Sequence, residues 1–210
     1  MLRRLIVPKE EVICIPETYS CQQAVELMEV HQLRNAPVVD ETGTLFRGNI
    51  YRYHIYKYKF HHPEVDMAQF SVTYLLKNAT KTIQETASTL HLLFTMKDLP
   101  YLAVLNQQRR FIGIVKHETV LDYFQQAWTI PQLSCIIAIH SEGNKGELRR
   151  ISRVVNRYCD ISLAMTMDET DYHTPSKVVY GIPKTVDLLA VKRLIHYLDR
   201  HRYQYEVYYL

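Results

Sequence analysis

Two pairs of residues carry the most chemistry in this 210-residue chain: Tyr51-Arg52 and Lys116-His117. Each falls where an apolar run gives way to a helix-forming one, so each cation stands at a helix N-terminus. Unpaired backbone N–H groups and the helix dipole favour an anion there. An arginine beside them adds a charge-assisted, bidentate contact to phosphate. The dipole alone contributes about 0.3–1 kcal/mol. Two such corners suit a ligand with two phosphates. The plainer reading of Arg52 and His117 is as solvated helix-start residues.

Other clusters lead less far. His54, His61 and His62 lie close in sequence, but no second cluster completes a metal site. Glu142 with Glu147, or Asp168 with Asp171, can be written as an acid–base pair. All four stand in polar loops or helix starts, where carboxylates are common. Nucleophile elbow, P-loop and dinucleotide fingerprint are all lacking. No catalytic residue, metal or cofactor is therefore assigned, and an enzyme is not expected. The string from Tyr51 to His62 interleaves aromatics with cations, as single-strand nucleic-acid binders do. Core and linker roles account for most of it, with some tyrosines left to stack on an adenine. The net charge of +3 gives no global case for nucleic acid or membrane.

The two corners belong to a repeat. Pro37-Val38-Val39 and Leu102-Ala103-Val104 are 65 residues apart, as are Phe46 and Phe111, Gly48 and Gly113, and Ile55 and Val120. An internal repeat implies paired units with a pseudo-symmetric cleft between them. Unit one reads as a strand Val12 to Ile15, then a helix from Ser20 burying Ala24, Val25, Leu27 and Met28. A strand Pro37 to Val39, a strand Leu45 to Ile50 and a helix from Tyr51 follow. Unit two repeats the order: an extended piece at Thr82-Ile83, a helix carrying Leu90, Leu93, Phe94 and Met96, then strands Tyr101 to Leu105 and Phe111 to Val115. A helix through Val120, Leu121 and Phe124 closes it.

The run Pro-Val-Val-Asp, a turn, and an apolar strand ending in Gly-x-Ile before a helix start resembles a cystathionine-β-synthase (CBS) domain. Two in tandem resemble a Bateman module, which implies adenine-nucleotide binding in the clefts between repeats. In that family a hydroxyl three residues after the glycine touches phosphate, and an aspartate six after it holds the ribose. Those places are Tyr51 and His54 in unit one, Lys116 and Thr119 in unit two. The resemblance places the adenine around Arg34-Asn35-Ala36 and Pro100-Tyr101, with Arg52, Lys116 and His117 on phosphate.

From Leu133 the organisation changes. A strand Ser134 to Ile139, a polar loop Ser141 to Gly146 and a helix Glu147 to Tyr158 come first. Strands Ile161 to Met167 and Lys177 to Gly181 flank a loop over 168–176, followed by a helix from Thr185 to His201 and a strand Tyr203 to Tyr209. The order βαββαβ predicts a ferredoxin-like domain. Gly146-Glu147-Leu148 after the first strand resembles the turn of an ACT domain. That resemblance implies dimerisation, with Asn144, Lys145, Gly146, Glu147 and Leu148 as a candidate amino-acid loop.

The expected architecture is α+β: CBS repeats over 1–62 and 63–130, then an ACT-like domain over 131–210. Chains of this order and length resemble the bacterial cyclic-di-AMP-binding CBS proteins of the CbpA type. The implied partners are cyclic-di-AMP, a second copy of the chain and a downstream protein. Alternatives are a sensor of AMP, ADP or ATP resembling acetoin-utilisation regulators, or a dimeric scaffold reading an amino acid. No apolar run approaches the ~18 residues of a membrane span. The N-terminus lacks a signal peptide, and four cysteines without metal-ligand spacing suit free thiols in a reducing cytoplasm.

Overall fold

The computed structural model describes residues 2–167 and 176–210. The loop that includes Asp168 and Asp171 lies outside the described residues. Two compact units emerge, Met1–Leu121 and Asp122–Leu210.

The first unit holds both repeats. In order it contains β1 (Val7–Pro8), β2 (Ile15–Pro16), α1 (Cys21–Val30), β3 (Asn35–Val39), β4 (Phe46–Tyr51) and α2 (Arg52–His61). Repeat two supplies β5 (Thr82–Gln84), α3 (Thr89–Met96), β6 (Tyr101–Leu105), β7 (Phe111–Lys116) and the start of α4 (His117–Ala127). Each repeat builds its own sheet around an antiparallel hairpin with a parallel strand on one side, β2-β3-β4 and β5-β6-β7.

Local sequence sets the helix starts. Ser20 caps α1 by a reciprocal pair: its Oγ accepts from Gln23 N–H at 3.2 Å, and its own N–H donates to Gln23 Oε1 at 2.9 Å. Ser88 caps α3 through His91 N–H. The α3 face differs from the sequence expectation. Leu92 and Met96 are buried, whereas Leu90 and Phe94 are exposed. The helix is apolar nearly all round, so its periodicity does not choose a face.

The β3–β4 turn is held by Asp40. Its carboxylate accepts from Leu45 N–H (2.7 Å), Thr42 Oγ1 (2.6 Å) and Thr44 N–H (2.7 Å). These bonds, Leu45 first, pull its pKa from 3.8 to about 2. A lowered carboxylate pKa stabilises the fold above the unfolded value and loses that contribution as pH falls through the folded one. An acid titration followed by circular dichroism should show a pH-dependent loss between 3.8 and about 2. Asp40→Asn should flatten that part of the curve, and an unchanged curve would refute the assignment.

The repeats also exchange segments. β1, at the N-terminal end of repeat one, pairs antiparallel with β7 of repeat two, Val7 opposite Ile114 and Pro8 opposite Gly113. Lys77, ahead of β5 in repeat two, pairs with Asn49 of repeat one through two backbone bonds of 2.7 and 2.9 Å. At the crossing points stand Gly48 (φ +150°) and Gly113 (φ +149°), the repeated glycines. A Cβ on Gly48 would lie 3.1 Å from the Lys77 carbonyl oxygen, and one on Gly113 would clash with the Val7 carbonyl oxygen. The equivalent rings Phe46 and Phe111 stack on each other, centroids 6.0 Å apart.

The second unit runs β8 (Leu133–Ser141), α5 (Glu147–Tyr158), β9 (Leu163–Met167), β10 (Ser176–Pro183), α6 (Leu188–Arg200), β11 (Tyr205–Tyr209). Its sheet order is β11-β8-β10-β9, antiparallel throughout, which is the ferredoxin-like arrangement. Alternate residues Cys135, Ile137 and Ile139 of β8 and Val178, Tyr180 and Ile182 of β10 face the helices. They pack against Ile151, Val155, Val191, Leu194 and Leu198. The α6 cap is Asp187, whose carboxylate accepts from Leu189 N–H at 3.1 Å; Thr185 lies before the helix and does not cap it.

Candidate functional site

In the first unit a cleft of about 710 Å³ opens between the repeats. Such a volume suits a small-molecule ligand. Repeat one contributes Ile13, Pro37, Arg34 and Asn35, the last two at the entry to β3. Repeat two contributes Pro100 and Tyr101 at the equivalent entry to β6, with Lys116 and His117 at the β7–α4 junction. The lining combines apolar side chains with Arg34, Lys116 and His117 and two carboxylates, Glu11 and Glu118.

Hydrogen bonding fixes part of this wall. His117 N–H donates to the Pro100 carbonyl at 2.9 Å, and the His117 ring Nδ1 lies 3.2 Å from the Leu99 carbonyl. The 99–100 turn is thereby clasped to the start of α4. Tyr101 is buried and its hydroxyl donates to Asn49 Oδ1 of repeat one at 2.8 Å. Burial first, then the neighbouring Tyr51 and Cys14, holds the Tyr101 pKa well above the ordinary phenol value. It is a neutral tether between the repeats. Lys116 pairs with Glu118 at 3.7 Å, both well exposed, which is a weak contact. Its ammonium is free to turn toward an anion.

Six of the residues singled out from sequence therefore meet in one cleft: Arg34, Asn35, Pro100, Tyr101, Lys116 and His117. Ala36 is buried in the core of repeat one and does not line the cleft. Tyr51, Arg52, His54 and Thr119 do not line it. Tyr51 Oη accepts from Asn78 Nδ2 at 3.0 Å, and the His54 ring meets the Tyr51 ring edge-on. Burial, then Lys77 and Lys57, lowers the His54 pKa below its ordinary value. Arg52 is turned to Glu29 of α1, 3.7 Å away, and Glu29 also accepts from the Tyr56 hydroxyl. Sequence reading missed Glu11, Gln32 and Glu118, which also line the cleft. Glu118 lies beside the basic pair in sequence, but Glu11 is brought in only by the path of the N-terminal segment.

Residues 3–61 match the CBS domain family. Among solved structures the chain is similar to CbpB of Listeria monocytogenes in complex with c-di-AMP, at 16% identity, TM-score 0.53, covering 61% of this chain and 98% of that one. It is similar to a CBS domain pair/ACT domain protein of Thermotoga maritima at 19% identity, TM-score 0.50, covering 60% and 97%. It is also similar to CBSX2 in complex with AMP, at 16% identity, TM-score 0.51, covering 60% and 96%. At these identities the likeness establishes the CBS-pair fold. No curated protein matches the sequence.

The second unit has its own cleft, about 550 Å³, lined by Ser141, Glu142, Glu147, Arg150 and residues 201–204. Of the candidate loop residues only Glu147 reaches it. Asn144 and Leu148 line a smaller hollow, while Lys145 and Gly146 line neither. The Glu147 carboxylate is nearly buried and accepts from Ser141 Oγ (2.9 Å), Asn144 N–H (3.3 Å) and Arg150 (3.0 Å). Burial raises its pKa, but the bonds from Ser141 and Asn144 and the Arg150 charge outweigh that and leave it lowered. The chain's own carboxylate thus occupies the anion-seeking start of α5. Nearby, His140 Nδ1 is buried and, among the described residues, has no hydrogen-bond partner.

Proposed function

We propose that this chain is a non-catalytic cytoplasmic regulator that binds cyclic-di-AMP in the cleft between its CBS repeats. One observation carries the reading: the fold gathers Arg34 and Asn35 from one repeat, and Pro100, Tyr101, Lys116 and His117 from the other, around one cleft. Adenine lies against Arg34-Asn35 and Pro100-Tyr101. A phosphate sits at the first turn of α4, beside Lys116, where the Glu118 and Thr119 N–H groups face no earlier turn. The complex of the similar CbpB with c-di-AMP supports this ligand. Binding selects one arrangement of the repeats through the Tyr101–Asn49 tether, and a homodimer presents the result to a protein partner.

Titration calorimetry with cyclic-di-AMP, ATP and AMP tests the reading. A charge-assisted contact contributes about 1.5–3 kcal/mol, so Lys116→Ala and Arg34→Ala should each weaken cyclic-di-AMP binding by about tenfold or more. Arg52→Ala should leave it unchanged, since Arg52 lies outside the cleft. Tighter binding of AMP or ATP would instead make the chain a sensor of those nucleotides, as the complex of the similar CBSX2 with AMP suggests. A second reading, an ACT-like dimeric scaffold that reads an amino acid, rests on the unpartnered His140 Nδ1 beside the Ser141–Glu147 loop. A thermal-shift response to amino acids, with none to nucleotides, would favour it.

A further inference from the structure

The helical layer of the second unit carries a concentration of positive charge that the overall balance hides. On α5 stand Arg149, Arg153 and Arg157, and on α6 Lys192, Arg193 and Arg200. Residues four apart on a helix share a face, about 6 Å along the axis. The three α5 arginines therefore form one stripe, and Lys192, His196 and Arg200 form another. All six cations are exposed, and among the described residues none of them makes an ion pair.

The carboxylates on these two helices do not balance them. Glu147 is bound by Ser141, Asn144 and Arg150. Asp199 accepts the Tyr205 hydroxyl at 2.7 Å. An exposed row of like charges costs self-repulsion, which a polyanion would relieve.

Flat rings lie among the α6 cations, with Tyr158 reaching in from the end of α5. A groove of about 570 Å³ runs beside α6, lined by Lys192, Arg193, His196 and Arg200 together with Tyr158, Tyr197 and His201. Tyr197 and His201 stack with centroids 3.9 Å apart and planes 22° from parallel. Tyr158 meets Tyr197 at 5.8 Å. A cationic track interleaved with stacking rings is the chemistry that holds a single-stranded nucleic acid: cations follow phosphates and rings receive bases. A lipid headgroup surface would use the cations but not a concave aromatic stack.

We propose that the α5–α6 face binds single-stranded nucleic acid, RNA or DNA, independently of the CBS cleft. Fluorescence anisotropy of the full chain with labelled single-stranded RNA and DNA oligonucleotides tests it, with duplex DNA, inorganic polyphosphate and phosphatidylserine vesicles as competitors. Binding should weaken linearly with log salt, at about −0.7 per phosphate neutralised. The triple variant Arg153→Gln, Arg157→Gln, Lys192→Gln, on exposed positions, should lower affinity at least tenfold and flatten the salt slope. Tyr197→Leu should lower affinity while leaving the slope unchanged. Circular dichroism confirms that each variant is folded, and either single strand suffices as ligand. No anisotropy change at low salt, or equal affinity in the triple variant, would overturn the proposal. So would full displacement by polyphosphate or vesicles at matched charge, combined with indifference to Tyr197→Leu. Because Lys116 and Arg34 take no part, their loss of nucleotide binding leaves this result intact.

Discussion

Gly113→Ala is expected to unfold a large fraction of the molecule under conditions where the unchanged chain is native. The backbone there has φ +149°, a region costly for any residue with a Cβ. The added methyl would also meet the Val7 carbonyl oxygen and crowd the Ile6 side chain. Strain of about 1–3 kcal/mol joins overpacking of about 1–3 kcal/mol. The sum, roughly 2–6 kcal/mol, is a large share of the 5–15 kcal/mol that holds an ordinary domain together. A backbone oxygen cannot swing aside as a side-chain tip can, so relief requires β1 to leave β7. Urea denaturation would measure the loss as a lower midpoint. Gly43→Ala is the control: φ is +66° there but nothing lies within 4 Å of the new carbon. A midpoint unchanged in Gly113→Ala would mean that β1 is not seated on β7.

Phe111→Ala should cost about as much by a different route, about 3–5 kcal/mol. The ring is 1% exposed and lies against its repeat-mate Phe46 and beside Tyr101, Val39 and Ile114. Removing it leaves a void where the two repeats meet, and neither sheet can close over it without shifting its own hairpin. Thermal melts should fall by well over 10 °C on the usual scaling for a unit of this size. Phe46→Ala should cost less, since that ring is only half-buried. A stability loss no larger for Phe111 than for Phe46 would refute the placement of Phe111 at the centre of this contact.

The repeat could be read because it rests on residues whose reasons are local. Short apolar strands buried along most of their length, with a glycine in each second strand, recur at the same offset whatever the rest of the chain does. The exchange of segments could not be read that way. β1 is two residues long, contains a proline and finds its partner more than a hundred residues later. No periodicity exists in two residues. The α3 face was misleading for a related reason, since an all-apolar helix leaves the choice to the sheet it meets. On α6 the sequence points to Thr185 as the cap with Asp187 in the first turn, whereas the helix starts two residues later and Asp187 is the cap.

The same division holds at the cleft. Lys116 and His117 were legible because they stand at a strand-to-helix junction of a repeated unit, whereas Arg34, Asn35, Pro100 and Tyr101 were placed by the resemblance to the CBS family. Arg52 has the same local setting, yet Glu29 on a different helix draws it aside. Glu11 arrives through the excursion that carries β1 across to repeat two. The basic face of the second unit was invisible in a net charge of +3, because a sum over the chain does not record where the charges stand.

The crossing of β1 and Lys77 bears on how firmly the two repeats are held together. A single repeat with its own leader would present an open sheet edge and a leader with no place to dock. Two separate copies would complete each other by trading leaders, which makes a domain-swapped dimer. Joined in one chain, the traded segments meet at an effective concentration in the millimolar range, whatever the protein's abundance. The tandem repeat thus holds within one chain the contacts that two separate copies would have to make as a dimer.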